Sequence, residues 1–104
     1  MDRLGEGAGG TSSVRRLEEA LCSLNTPEEA HALLADLCSP REIVDLAQRF
    51  EVASMLSEGA SYLDVSRATG ASSTTVSRVS KCLNGETGGY RLVLERLDQR
   101  DMSS

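Results

Sequence analysis

Residues 72–81 gather polar donors without a single acid among them. Ser72, Ser73, Thr74 and Ser77 carry hydroxyls that donate and accept, Arg78 a guanidinium, and Lys81 an ammonium. From position 71 to 83 there is no Asp or Glu. Hydroxyls adapt to either partner type, a guanidinium presents a rigid fork of donors, and an ammonium is a flexible point charge. Such a set suits a polyanion with readable edges. Arg78 can span O6 and N7 of a guanine, a contact that discriminates by about 1–3 kcal/mol. Ser73 and Thr74 are expected at base edges. Ser72, Ser77 and Lys81 are expected at the phosphate backbone, where a helix starting after Ser72 would also attract a phosphate.

Two short helices joined by a tight turn, over residues 61–83, must position these groups. Ser61 can cap the first helix, with Asp64 as its capping-box partner. Gly70 falls where that helix must end, since glycine takes the left-handed conformation without steric cost. Ser72 can cap the second helix, which places Val76, Val79 and Leu83 on one face. Val65 and Ala68 offer the facing stripe. The stretch 64–79, with small Ser66 between the helices and Thr-Val-Ser-Arg on the second, resembles the helix-turn-helix of many bacterial repressors. A second helix of that kind enters the major groove of double-stranded DNA.

The chain has 104 residues and a formal net charge of −5. This length suits one domain, expected over 12–104, after a glycine-rich disordered arm at 1–11. With no Trp, two Tyr and one Phe, the core is modest, and a second subunit would enlarge it. Acidic bulk beside an acid-free reading helix weakens non-specific phosphate attraction and leaves recognition to base contacts and dimer geometry. Cys22, Cys38 and Cys82 lack metal-ligand spacing, and His31 is the only histidine. No metal is expected, and the cysteines read as small buried hydrophobes. No apolar run is long enough for a membrane and no signal peptide is evident, so the cytoplasm is the expected location. No nucleophile and base pair or phosphate loop points to an enzyme.

The flanking elements also read as helices, which makes the chain all-α. Val14, Leu17, Leu21 and Leu24 repeat at helical spacing after a cap at Ser12 or Ser13. Thr26-Pro27-Glu28-Glu29 opens a second helix running to about Cys38. Ser39-Pro40 opens the longest, to about Glu58, stopped by Gly59. Its apolar residues, from Ile43 to Leu56, spread around most of the circumference, which calls for a second layer, most simply another copy of the chain. A final helix, about Tyr90 to Arg100, is expected to pack back on the core or a partner.

Several stretches in order carry a wider resemblance: Leu37-Cys-Ser-Pro-Arg-Glu-Ile43, Leu46-Ala-Gln-Arg-Phe-Glu-Val-Ala53, Thr69-Gly-Ala-Ser72, Val76-Ser-Arg-Val79 and Cys82-Leu-Asn84. Over about residues 14–97 the chain resembles the Trp repressor superfamily and is similar to its YerC/YecD-type branch. The resemblance implies an intertwined, all-α homodimer that regulates transcription, a repressor reading a near-palindromic operator. Half-site centres would then lie roughly 34 Å apart. It also implies an effector pocket: Arg49 and Arg78 match two arginines that sandwich an indole, Thr75 matches a pocket threonine, and Ser39 stands for another. Here the chain departs from the tryptophan-binding pattern. Val79 stands where a glycine is needed, and overpacking argues against L-tryptophan. The loop Gly59-Ala60-Ser61 is also one residue shorter. The expectation is therefore a regulator without a cofactor, with an amino-acid-gated repressor and a protein-binding helical adaptor as rivals.

Overall fold

The computed structural model describes residues 9–103. Residues 1–8 of the expected arm lie outside them. Among the described residues the chain is all-α, without strands: α1 (Gly9–Cys22), α2 (Pro27–Leu37), α3 (Pro40–Ser57), α4 (Tyr62–Thr69), α5 (Ser73–Leu83) and α6 (Gly89–Ser103). Two compact units divide the chain, the first ending at Pro40 and the second starting at Arg41.

In the first unit, α1 begins at Gly9 rather than after Ser12. It ends at Cys22, and Ser23 and Leu24 continue with tighter bonds to Ala20 and Leu21 carbonyls. The α2 start follows the expected cap. Thr26 Oγ1 accepts from the Glu29 amide at 3.1 Å. The return bond runs from the Asn25 amide to Glu29 Oε1 at 2.8 Å, one residue before the cap. Two orphan donors are satisfied at once, as in a capping box. The apolar stripe of α1 stays in water, with Val14 54%, Leu17 41% and Leu21 47% exposed.

The second unit holds the core. Val52 and Ala53 of α3, Val65 of α4, Ala71 of the turn, and Val76 and Val79 of α5 form one buried cluster. Met55, Leu56, Ala60, Tyr90 and Leu94 close around it. The small residues explain the close fit: valine and alanine let short helices approach without long side chains between them. Phe50 and Tyr90 meet with ring centroids 6.3 Å apart at a 42° tilt, an arrangement aromatic pairs favour. This pair ties α3 to α6. Toward the start of α3, Val44 and Leu46 are exposed. Ala68, expected in the α4 stripe, is exposed as well; half-buried Ser66 and Thr69 flank Val65 instead.

Candidate nucleic-acid interface

The turn between α4 and α5 is fixed by its own polar groups. Ser61 caps α4 by accepting from the Asp64 amide at 3.1 Å. Gly70 ends that helix in the left-handed conformation, at φ 77°. The Thr69 hydroxyl donates to the Val65 carbonyl and accepts from the Ala71 amide. Ser66 Oγ donates to the Ala71 carbonyl at 2.6 Å. Gln48 of α3 reaches across to the Thr69 carbonyl at 3.1 Å. The small residue between the helices therefore works as a hydrogen-bonding clasp as well as a spacer, and the bonds from Ser66, Gln48 and the Thr69 hydroxyl all act on Thr69 or Ala71, just before α5.

Ser72 then caps α5, its Oγ accepting from the Thr75 amide at 3.1 Å. Val76, Val79 and Leu83 are buried beneath the helix. The opposite face is open. Tyr62, Ser73, Thr74, Ser77, Arg78 and Lys81 line a groove of about 460 Å³ on this face. Among the described residues, no intramolecular hydrogen bond or ion pair engages the side chains of Ser73, Thr74, Ser77, Arg78 or Lys81. The groove thus keeps its donors available, beside the positive end of the α5 dipole and with no acid in the helix. Of the expected contact residues only Ser72 lies outside the groove lining, because its hydroxyl faces back to the helix amides.

Tyr62 is the groove residue that sequence reasoning missed. Its hydroxyl meets Ser80 Oγ at 2.5 Å. The one available signal was its place directly after the Ser61 cap, at the end of the first helix that faces the reading helix.

The far end of α5 is closed by groups from outside the motif. Asn84 Nδ2 donates to the Ser80 carbonyl at 2.9 Å. The Arg91 guanidinium donates to the Leu83 carbonyl. A cation at these carbonyls also complements the negative end of the helix dipole. Arg91 of α6 therefore helps to terminate α5.

A second cleft, of about 360 Å³, lies on another side of α5 and is lined by Arg49, Thr75, Arg78, Val79, Cys82 and Tyr90. Three of the four expected effector residues meet here. Ser39 belongs to the first unit. Val79 is at once a cleft wall and a core residue, 4% exposed. Arg78 borders both this cleft and the open groove of α5. The cysteines differ from expectation: Cys22 and Cys82 are exposed and Cys38 is half-buried. Cys22 ends α1, Cys38 follows α2, and Cys82 lies in the last turn of α5 next to buried Leu83. His31 is on the surface. Among the described residues there is no cluster of three or more metal-ligating side chains. None of their helices is long and apolar enough to cross a membrane.

With this geometry in place, the chain can be compared with known proteins. Residues 12–98 match the family model described as Trp repressor protein. An uncharacterized protein of Bacillus subtilis (strain 168), YerC, is 42% identical over 89 residues, covering 86% of each chain. A TrpR-like protein from Eubacterium eligens ATCC 27750 superposes with a TM-score of 0.79 at 46% identity, covering 88% of this chain and 94% of the other. A Staphylococcus aureus protein proposed to be a Trp repressor superposes equally well, TM-score 0.79, at 33% identity, covering 84% and 87%.

Proposed function

The chain belongs to the Trp repressor family, and from that membership we propose that it is a sequence-specific, DNA-binding regulator of transcription, acting as a repressor. It works in the cytoplasm as a homodimer and reads a near-palindromic operator. The observation that carries this reading is the open, acid-free groove where Ser73, Thr74, Ser77, Arg78 and Lys81 lie together with no internal partners. Buried polar groups that already have partners contribute little to a new complex; unengaged donors on one exposed face contribute specificity when they meet base edges. Ser73 and Thr74 read bases, Arg78 takes a guanine, and Ser72, Ser77 and Lys81 hold the backbone.

Selection of bound fragments from random duplex DNA at fixed moderate salt tests the reading. Wild type is expected to enrich an inverted repeat with half-sites one helical turn apart, and Arg78→Ala to lose or relax it. Absence of enrichment, with or without amino acids, would sink DNA reading and favour the protein-binding adaptor.

A second reading, amino-acid gating, is favoured by the meeting of Arg49, Thr75 and Arg78 around one cleft. Val79 argues that L-tryptophan is not the ligand, since its branched side chain occupies the wall that an indole would need. Calorimetric titration with amino acids, beside the same DNA assay, separates the two. Heat on addition of an amino acid, together with altered operator affinity, would establish gating.

A further inference from the structure

We propose that Tyr62 is a DNA-backbone anchor of the reading surface, its phenol held on the groove rim by Ser80 and donating to a phosphate oxygen while its ring packs on the adjoining deoxyribose. The inference rests on the DNA-reading function above and adds a contact residue to it.

Three observations converge on this residue. Tyr62 is 52% exposed, a large ring left half in water at the first position of α4. It lines the same open groove as Ser73, Ser77, Arg78 and Lys81. Its hydroxyl is already oriented, by the bond to Ser80 Oγ on the half-buried side of α5.

The chemistry follows from hydroxyl valence. Each hydroxyl has one hydrogen to give and two lone pairs to receive. In the structure the phenol donates to Ser80 Oγ. Both hydroxyls rotate, so on contact with DNA the phenol hydrogen turns to a phosphate oxygen, the acceptor a duplex offers at a groove rim, and Ser80 donates to the phenol oxygen in its place. In a helix-turn-helix, the first helix crosses the backbone while the second enters the groove. A phenol at the start of α4, facing the α5 groove, stands at that boundary. The ring adds flat apolar surface for the sugar, and its ordered hydroxyl reduces the entropy lost on contact. Being neutral, the residue releases no counterion.

That last property makes the test specific. Wild type, Tyr62→Phe, Tyr62→Ala and Lys81→Ala are titrated with the selected operator and with an unrelated duplex over a series of salt concentrations. Tyr62→Phe should weaken binding about 3- to 10-fold on both duplexes alike, as loss of one hydrogen bond predicts. Tyr62→Ala should weaken it further. Both should retain the wild-type salt slope, whereas Lys81→Ala should reduce the slope by about one. Incorporated 3-fluorotyrosine supplies a direct readout, because the chain has only two tyrosines. The fluorine signal missing from Tyr62→Phe should shift when DNA is added. Unchanged affinity in both Tyr62 variants overturns the inference while leaving DNA reading intact. A weaker Tyr62→Phe whose wild-type fluorine signal never moves also overturns it, in favour of a purely structural role. Wild type without affinity for either duplex removes the DNA reading itself.

Discussion

Arg78 and Lys81 are one turn apart on α5 and line the same groove, yet they should fail differently. A guanidinium that grips one guanine carries sequence information, whereas an ammonium on a flexible stem neutralises whichever phosphate is near. Arg78→Ala is expected to cost about 1–3 kcal/mol on the operator and to relax preference at a single base pair. Lys81→Ala should weaken operator and random duplex nearly equally and lower the salt slope by about one. Fluorescence anisotropy titrations with labelled duplexes at several salt concentrations resolve both effects. Identical losses from the two variants would mean that Arg78 contacts backbone only. Arg78 also borders the Arg49 and Thr75 cleft. An anion seated there would draw on the same guanidinium that the operator uses, so any effector of that cleft should alter operator affinity through this residue.

At the scale of elements, the turn after α4 is governed by backbone conformation rather than by space. Gly70 has φ 77°, and a Cβ added there would meet only Gln48 Nε2 at 3.9 Å, an ordinary contact. Gly70→Ala should therefore destabilise by about 1–2 kcal/mol, the conformational cost of a left-handed non-glycine residue. Gly89 opens α6 without positive φ and with nothing near a prospective Cβ. Gly89→Ala should stabilise by about 0.4–1 kcal/mol by restricting the unfolded chain. Urea denaturation of the two variants gives opposite shifts in midpoint. The same contrast explains what was legible in the sequence. The caps at Thr26, Ser61 and Ser72 and the stop at Gly70 depend on residues within four positions of one another, and all four are where the sequence suggested. Arg91 closing α5, Gln48 bracing the turn and Tyr62 bonded to Ser80 join residues 8, 21 and 18 apart. Periodicity alone puts Ala68 on the buried stripe, yet in the eight-residue α4 only Val65 is buried and Ala68 is exposed. The grouping of Ser73, Thr74, Ser77, Arg78 and Lys81 was readable because a single helix carries them. Their groove was not, because Tyr62 of another helix helps to form it.

For the whole molecule, the uncovered apolar residues are the main energetic fact. Val14, Leu17 and Leu21 stand exposed on α1, as do Val44 and Leu46 on α3 and Leu92 and Val93 on α6. In the proposed dimer a second copy covers them. Sedimentation equilibrium should give twice the mass of one chain, and Leu17→Glu with Leu21→Glu should return the single-chain mass. Operator affinity should then fall about 100-fold or more, because the second half-site no longer adds its contacts. A helical, single-chain wild type with full operator affinity would refute the dimer. The acid-free α5, carried by a chain of net charge −5, has a consequence in time as well as in affinity. Weak attraction to random phosphates makes each stay on foreign sequence brief, so a DNA reader built this way travels mainly through solution between encounters and slides little. Few copies are then held in reserve along the chromosome, and occupancy of the target follows the number of molecules in the cell almost directly.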